Sequence, residues 1–308
     1  MTAHRPRVST GFPVYNGEPY LTGAIESHLS QTFEDFELVI VDNASTDGTE
    51  EICRRFARAD SRIRYHRNAE NVGVIRNHNR SLELTRGEYF RWISADDRYA
   101  PTFLERCVEI LDADPEVVLA FSKVMHIDES SREVGVDERP FHFDSPSASV
   151  RFKAALDSDC IEEFGLMRQT ALQKIPLLGS YGHYDGVHLA RLALLGRFER
   201  APEPLVKVRK HADQAHVQRL VDRQAFVRIL DPRLEGKWLF PRWRLTREYA
   251  DSIRAAPLSL SERVECYTHL ARWAKYSCPC YRDDVTFNSR RALRTLVSPW
   301  SRMRGTRS

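Results

Sequence analysis

The chain has 308 residues, of which 42% are hydrophobic and 29% are charged, and this composition is typical of a globular protein with one large or two modest domains. The 46 Lys and Arg residues nearly balance the 43 Asp and Glu residues, so the net charge of +3 argues against binding of nucleic acid through bulk positive charge. The six cysteines lack the paired spacing of a zinc site, and the sequence carries neither a secretory leader nor an apolar run of about 18 residues, so we expect reduced thiols and a cytoplasmic protein.

Two hydrophobic periodicities alternate along the first 125 residues, as is typical of strands joined by crossover helices. Strands are predicted at residues 8–14, 36–41, 62–66, 88–94 and 117–124. Helices are predicted at residues 19–31, 74–85 and 101–113, and another is expected to follow a capping box at residues 47–50. This alternation predicts an α/β fold with an open, mostly parallel sheet and flanking helices.

The second part of the chain has a looser pattern. Residues 126–150 are polar and contain two prolines, so we expect a loop there. Helices are predicted at residues 150–175 and 183–195, and a strand at residues 198–208. From residue 212 onward the sequence predicts a mostly helical C-terminal region.

Carboxylates follow two of the predicted strands. Asp42 comes directly after the second strand, and the adjacent Asp96 and Asp97 follow the fourth. Ligands bind outside the carboxyl ends of strands in such sheets, so we expect these carboxylates at one ligand-binding edge. Two carboxylates about 5 Å apart at an effective dielectric near 20 repel by roughly 3 kcal/mol, so the pair calls for a cation or hydrogen-bond donors. The alternative is a solvated turn that caps the helix beginning near Pro101.

Five segments, in chain order, carry a family resemblance: FPVYNGEPYL, FELVIVDNASTDGT, NVGVIRNHN, GEYFRWISADD and GHYDGVHLARLALLGRF. Together they resemble glycosyltransferase family 2, whose members have the Rossmann-like type A glycosyltransferase fold, over residues 7–215. The resemblance implies a metal-dependent, inverting enzyme of the hexosyltransferase type, acting in polysaccharide or glycoconjugate biosynthesis. It also implies a glycosyltransferase domain at residues 1–215, with a donor half at 1–125 and an acceptor half at 126–215, followed by a helical extension at 216–308.

The resemblance assigns the donor-binding carboxylates. Asp97 is expected to bind Mn²⁺ or Mg²⁺ and Asp96 the donor ribose, and few protein ligands suffice because these ions keep waters and take phosphate oxygens. Asp42, with Asn43 beside it, is expected to bind the nucleobase. A carboxylate only accepts hydrogen bonds, so it suits the imide N–H of uracil, thymine or guanine, and the expected donors are UDP, dTDP or GDP sugars.

The loop after the first strand is expected to surround the base through Pro13, Val14 and Tyr15. Tyr15 is a candidate stacking partner, and packing at the rim is the alternative. Glu18 is a candidate ligand, and its alternative is a first-turn carboxylate that stabilises a helix.

The segment NVGVIRNHN departs from the common family pattern because His78 stands where an arginine is usual. We expect Arg76 to supply the cation for the diphosphate, since only an arginine stays charged at neutral pH, with a surface helix charge as the alternative. Gly73 is expected to let the chain turn tightly into the helix.

The acceptor half offers a candidate base. The resemblance places Asp185 where a carboxylate deprotonates the acceptor hydroxyl, and an N-cap or first-turn aspartate is the alternative. Glu162 and Glu163 are rivals for this role, and we expect them on a solvated helix face. His211 is a candidate second metal ligand, with simple exposure as the alternative. The nearby basic residues would hold phosphate or solvate the surface: Lys207, Arg209 and Lys210.

The expected partners are a nucleotide sugar and a hydroxyl acceptor, which is a saccharide, a lipid-linked glycan or a small molecule. Residues 290–308 carry six arginines and no acidic residue among apolar side chains, so they offer contact with the inner face of a membrane, or else they pack and fray.

Two other functions fit part of the pattern. A nucleotidyltransferase would need a glycine-rich basic loop after the first strand, and GFPVYNGEPY is not such a loop. A non-catalytic sugar-nucleotide binding protein would keep Asp42 without needing Asp185.

Overall fold

The computed structural model describes residues 5–210, 229–235 and 237–289. Strands β1 to β9 span Val8–Val14, Phe36–Asp42, Ile63–Arg67, Tyr89–Trp92, Arg98–Tyr99, Val117–Ile127, Glu133–Val136, Leu166–Arg168 and Arg197–Arg209. Helices α1 to α9 span Glu18–Leu29, Thr49–Ala59, Val74–Glu83, Phe103–Ala113, Ala148–Asp157, Gln169–Leu172, Tyr184–Leu195, Pro241–Ala255 and Leu260–Tyr276. Residues 278–289 are also helical, and Ile161–Phe164 and Pro232–Leu234 form single 3₁₀ turns.

The strands form one sheet in the order β3-β2-β1-β4-β8-β6-β9-β5, and β7 pairs with β6. Strands β3, β2, β1 and β4 run parallel, as the alternation of strands and crossover helices predicts. Among the described residues, four of the eight strand pairings are antiparallel: β4 with β8, β6 with β8, β6 with β7, and β5 with β9. The α/β class with flanking helices is confirmed, but the sheet is mixed instead of mostly parallel.

The antiparallel pairings arise from short strands that hydrophobic periodicity cannot reveal. Strand β8 has three residues and β5 has two, too few for a period of two to be read from the sequence. The helix predicted at residues 150–175 is therefore wrong in its second part, since α5 ends at Asp157 and β8 lies within that stretch. The chain passes close to β6 there, because a Cβ on Gly165 would lie 2.7 Å from Leu119 Cδ2.

Two smaller expectations also differ from the structure. The capping box at residues 47–50 does not form, since Gly48 is the N-cap of α2 and the Asp47 carboxylate accepts instead from the backbone N–H groups of Thr49 and Glu18. The loop expected at residues 126–150 contains β7 and the first turn of α5.

The parallel register decides where the site lies. Central strand β1 pairs Val14 with Asp42 on one side and Gly11 with Trp92 on the other. All seven residues of β2 are buried, which agrees with a continuous apolar run covered by helices on both faces. The carboxyl ends of β2, β1 and β4 therefore meet at one edge of the sheet.

The C-terminal helices pack against the second half of the chain. Tyr249 of α8 is fully buried, with its ring 6.0 Å from that of Phe152 in α5 and 5.4 Å from that of Trp273 in α9. Arg191 of α7 donates to the Glu248 carboxylate of α8 at 2.7 Å. Among the described residues, no helix combines the length and apolarity needed to cross a bilayer. The expected membrane contact of residues 290–308 falls outside the described ranges.

Candidate functional site

The loop after β1 lies between the two carboxylate-bearing loops. On one side, the backbone N–H of Asn16 donates to Ser45 Oγ at 2.9 Å, and the Asn43 N–H donates to the Val14 carbonyl at 2.8 Å. On the other side, a Cβ on Gly17 would lie 3.4 Å from the Cβ of Ala95, which directly precedes Asp96. The loops that carry Asp42 and the aspartate pair therefore flank the same connection.

Asp42 is fully buried and holds three donors. Its Oδ1 accepts from the Ser45 N–H at 2.8 Å, and its Oδ2 accepts from the Tyr65 hydroxyl at 2.8 Å and from the Arg67 guanidinium. Burial first, and then the bond to this carboxylate, raises the pKa of Tyr65 above its usual value. The Asp42 side chain is 0% exposed, so its carboxylate is closed to a ligand in this conformation. The nucleobase role of Asp42 stays a prediction, and it requires the side chains that cover this carboxylate to move.

The side chain of Asn43 orders the loop that leads into α3. It donates to Asn71 Oδ1 at 2.8 Å and accepts from the Val72 N–H at 2.9 Å and from Asn68 Nδ2 at 3.0 Å. Asn68 also donates to Asn77 Oδ1 at 2.8 Å. The predicted ligand role of Asn43 remains untested, and its side-chain contacts serve this amide network.

The Asp96 and Asp97 pair lies where β9 ends. Asp97 is only 5% exposed, and its Oδ1 accepts from the Arg209 N–H at 3.1 Å. Ser94 Oγ donates to Asp96. Burial first, and repulsion by Asp96 second, raises the pKa of Asp97 to about 8. Within the described residues, no hydrogen bond reaches Asp97 Oδ2. A buried Asp97 carboxyl with one oxygen that accepts no bond from the described residues, next to the partly exposed Asp96, fits a hard divalent cation.

Arg209 contradicts both expectations made for it, which were phosphate binding and surface solvation. Its side chain is 1% exposed and donates to the carbonyls of Asp96, Asp128 and Glu129, all within 3.0 Å. It ties the aspartate loop to the turn after β6. The Lys207 ammonium pairs with a Glu133 carboxylate oxygen at 2.8 Å.

Of the two residues that follow Arg209, Lys210 lies within the described ranges and His211 does not. Lys210 is exposed, so solvation of its side chain agrees with the sequence expectation. His211 lies outside the described residues, and its ligand role stays a prediction.

The last residues of β1 and the residue that follows them differ in exposure. Val14 is buried and Pro13 is partly buried, whereas Tyr15 is 49% exposed at the same edge and is free to meet a ring. Glu18 is the first residue of α1, and its carboxylate accepts from the Gly48 N–H at 2.8 Å. Glu18 thus links the start of α1 to the start of α2.

Helix α3 presents Arg76 and His78 differently. Arg76 is exposed, whereas His78 Nδ1 lies 2.9 Å from the Val74 carbonyl and its ring lies 6.4 Å from that of Tyr184 in α7. Burial lowers the pKa of His78 to about 4, so this imidazole is neutral at pH 7. The choice of Arg76 as the cation near neutrality stays a prediction, and His78 lies between α3 and α7.

Asp185 lies in the first turn of α7 and is partly exposed. Its Oδ1 accepts from the Gly186 N–H at 2.9 Å. His183 is the N-cap of this helix, so the first-turn alternative describes Asp185 and the N-cap alternative does not. The positive end of the helix dipole stabilises a carboxylate in the first turn, and such a carboxylate can still serve as a base.

Glu162 and Glu163 do not lie on a solvated helix face, so that expectation is wrong. They belong to a 3₁₀ turn, and Ser158 Oγ, at the end of α5, donates to Glu162 at 2.8 Å. Glu163 is 6% exposed, and His188 Nδ1 lies 2.9 Å from its carboxylate. Burial raises the pKa of both carboxyl groups. From the sequence alone, Glu162 and Glu163 look like an exposed acidic pair, because His188, the partner of Glu163, lies on α7.

Sequence reasoning missed two further residues of the site. Arg67 lies directly opposite Asp42 in the parallel pairing of β3 with β2, so strand register was a signal that could have identified it. Arg91 in β4 is fully buried between the rings of Tyr99 and Phe103, 4.0 and 4.1 Å from their centroids. Its attraction opposes the rise in the pKa of Asp97. An arginine within an apolar strand gives no sequence signal of this position.

Comparison with known proteins gives a family match and two informative relatives. The model of the family described as Glycosyl transferase family 2 matches residues 9–176. The putative teichuronic acid biosynthesis glycosyltransferase TuaG of Bacillus subtilis is 34% identical over 111 residues, which are 36% of this chain and 44% of that protein. The chain thus matches less than half of the length of that relative. An uncharacterized glycosyltransferase of Haemophilus influenzae is 27% identical over 223 residues, 68% of this chain and 67% of that protein.

Solved structures share the fold. S. aureus TarS 1–349 in complex with UDP aligns with a TM-score of 0.55 at 18% identity, covering 90% of each chain. The mannosyltransferase PcManGT of Pyrobaculum calidifontis, in complex with GDP-Man and Mn²⁺, aligns with a TM-score of 0.52 at 22% identity, covering 97% of this chain and 88% of that one. These likenesses indicate the type A glycosyltransferase fold.

Proposed function

The chain belongs to glycosyltransferase family 2, and from this premise we propose a metal-dependent, inverting, hexosyltransferase-type transfer from a nucleoside diphosphate sugar to an acceptor hydroxyl. Membership of a glycosyltransferase family favours this over a nucleotidyltransferase or a non-catalytic nucleotide-binding protein. The observation that carries the proposal is the buried Asp97, with the partly exposed Asp96 beside it, at the same sheet edge as Asp42, with one loop between them.

The proposed donor carries a base with an imide N–H. Tyr15 offers an exposed ring at the same edge as Asp42, and an imide N–H would reach the Asp42 carboxylate once the side chains that cover it move. Structures of related fold support this class, since TarS binds UDP-GlcNAc and PcManGT binds GDP-Man. We assign the ribose to Asp96 and the diphosphate to Arg76, whose guanidinium is exposed on α3.

The proposed metal ligand in the described part of the chain is Asp97, and His211 is the proposed second ligand. When bound, Mn²⁺ or Mg²⁺ supplies positive charge to the leaving diphosphate. PcManGT, which shares the fold, is described with Mn²⁺. Arg209 holds the Asp97 carboxylate in place through its backbone N–H and anchors the Asp96 carbonyl through its side chain.

Asp185 is the proposed base. Its carboxylate accepts the proton of the acceptor hydroxyl while that oxygen attacks the anomeric carbon from the face opposite the diphosphate. The new glycosidic bond forms as the bond to the diphosphate breaks, and the nucleoside diphosphate leaves with that electron pair. One displacement inverts the anomeric carbon.

We propose that different parts of the chain bind the donor and the acceptor. We assign donor binding to residues 1–125, which carry the parallel strands β1 to β4, and acceptor binding to residues 126–215, which carry Asp185, with residues 216–308 as a separate extension. The biosynthetic role named for TuaG supports an acceptor in polysaccharide or glycoconjugate assembly.

An Asp185→Asn variant tests the proposal. The protein is incubated with UDP-GlcNAc or GDP-Man and Mn²⁺, and nucleoside diphosphate release is measured with mixed saccharide acceptors. We expect Asp185→Asn to bind the donor with unchanged affinity and to release diphosphate at least about 100-fold more slowly. Full activity in this variant would contradict the role of Asp185, and Asp157→Asn, an exposed carboxylate at the end of α5, is the matched control.

A further inference from the structure

Three side chains of different metal-binding types meet at the start of α7. Cys160 follows α5, whereas His183 and Asp185 begin α7, and one ligand atom from each lies within 4.8 Å of the other two. Cys160 Sγ and His183 Nε2 are 3.9 Å apart. In a tetrahedral zinc site with Zn–S of about 2.3 Å and Zn–N of about 2.0 Å, sulfur and nitrogen lie roughly 3.5 Å apart. A shift of a few tenths of an ångström would bring the Cys160 sulfur and the His183 nitrogen to that spacing.

The His183 ring is held as a metal-binding imidazole usually is. Its Nδ1 lies 3.1 Å from the hydroxyl of Tyr249, which is fully buried in α8, and Nε2 is directed toward Cys160. A hydrogen bond to one ring nitrogen fixes the orientation in which the other binds metal.

Gly186 makes room for this ring. A Cβ at position 186 would lie 2.1 Å from both Nδ1 and Cε1 of His183 and 2.8 Å from the Tyr249 hydroxyl oxygen. Even the smallest side chain there would displace the imidazole, so residue 186 must be glycine for the cluster to exist.

The cluster is closed on one side and open on the other. Cys160 is 3% exposed, and its backbone N–H donates to Ser158 Oγ at 2.8 Å, whereas His183 and Asp185 are partly exposed. An ion can therefore approach the ligand atoms from the side on which His183 and Asp185 are partly exposed. The spacing of the three residues in sequence resembles no paired zinc motif, which explains why the sequence did not reveal them.

We propose that Cys160, His183 and Asp185 form a zinc site with an open fourth position, distinct from the Mn²⁺ or Mg²⁺ site at Asp97. Thiolate and imidazole ligands favour zinc over the harder ions that carboxylates and phosphates hold. Zinc at this site occupies the Asp185 carboxylate, so it inhibits sugar transfer. That inhibition rests on the proposed role of Asp185 as base, whereas zinc binding itself does not.

Cobalt titration of the reduced, metal-stripped full-length protein tests the site. Cobalt bound to a thiolate gives a near-ultraviolet charge-transfer band, which we expect to saturate at one equivalent and to disappear when zinc is added. Cys160→Ser is expected to abolish the band. The matched control, Cys278→Ser with Cys280→Ser, removes two thiols elsewhere and is expected to retain it. No band in the wild type, or a band that survives in Cys160→Ser, would overturn the proposal.

Two further measurements are needed. One tests the site in a variant that keeps all three ligands, and the other distinguishes failure of the zinc site from failure of the proposed sugar transfer. Gly186→Ala keeps all three ligands and displaces His183, and we expect it to weaken cobalt binding by about 10- to 100-fold. Zinc is expected to inhibit wild-type transfer but not Cys160→Ser, each measured against its own zinc-free rate. A wild-type protein that binds cobalt at this site but transfers no sugar would contradict the proposed function and leave the zinc site standing.

Discussion

Asp42 is a single residue whose replacement is expected to lower both the stability of the fold and the affinity for nucleotide. In Asp42→Asn, an amide group replaces one carboxylate oxygen, and the Arg67 guanidinium and the Tyr65 hydroxyl lose their charged acceptor. We expect a loss of about 2 kcal/mol in the free energy of unfolding, because Arg67 keeps access to solvent, and at least tenfold weaker binding of UDP or GDP. Urea denaturation and calorimetric titration measure the two effects.

Glu51→Gln is the control for Asp42→Asn, since Glu51 is an exposed carboxylate on the neighbouring helix. Equal nucleotide affinities in Asp42→Asn and Glu51→Gln would argue against a nucleobase contact by Asp42.

The buried His28 is expected to make the fold less stable in mild acid. Its ring is fully buried 4.9 Å from that of Phe36, and burial, with added repulsion from Arg91 and Arg62, holds the pKa of this imidazole well below 6.5. The unfolded chain takes up a proton below about pH 6.5 and the folded protein does not, so this contribution is present above pH 6.5 and is lost as the pH falls.

Replacing His28 should therefore flatten the pH dependence of stability. We expect the drop in unfolding free energy between about pH 7.5 and pH 5 to be smaller by about 2 kcal/mol in His28→Leu than in the wild type. The exposed His142, changed to Leu, is the control and should leave the drop unaltered. The same drop in His28→Leu as in the wild type would show that His28 is protonated in the fold.

At the level of secondary structure, the entry to α3 depends on Gly73. Its φ of +87° and ψ of 162° belong to a region that only glycine adopts readily, and a Cβ there would lie 2.7 Å from both the Leu230 carbonyl oxygen and Pro232 Cδ. We expect Gly73→Ala to lower the free energy of unfolding by about 2–4 kcal/mol, as measured in urea.

Gly135→Ala is the matched control for this glycine, because a Cβ at position 135 of β7 meets nothing within 4 Å. A change below about 0.5 kcal/mol is expected there. If both variants lost equal stability, the strain assigned to Gly73 would be wrong.

The strands and helices that the sequence predicts well are those marked by a continuous apolar run or by a clear helical periodicity. Strand β1 was predicted with its observed bounds, and β2 and α3 within two residues of theirs, because continuous apolar runs or amphipathic helices mark them. Strand β8 was missed because it forms only through its partners β4 and β6, which are distant in sequence. Gly73 was identified as a turn, but its contact with residues 230–232 was not, since no local pattern encodes that contact.

For the whole molecule, the family and the α/β fold class predicted from the sequence are confirmed, and the sheet edge proposed for the site stays a prediction. Asp42 and Asp97 could be proposed because Asp42 ends β2 and Asp97 lies in the loop after β4, and a parallel sheet brings these two strand ends to one edge. Strand register could have identified Arg67 as a partner of Asp42, but no local pattern marks Tyr65 or Arg209, which reach Asp42 and Asp97 from β3 and β9. The Cys160 cluster and its support by Tyr249 depend on the packing of three helical segments.

The central claim is that Asp42 and Asp97 hold one nucleotide together with a divalent ion, and nucleotide titration with and without Mn²⁺ tests it most directly. We predict that the full-length protein binds UDP or GDP at one site in Mn²⁺. The affinity should fall at least about tenfold, on the order of 1.4 kcal/mol, after chelation, and Asp97→Asn in Mn²⁺ should bind as weakly as the chelated wild type. Nucleotide affinity that is equal with Mn²⁺ and with chelator, and unchanged in Asp97→Asn, would contradict the account.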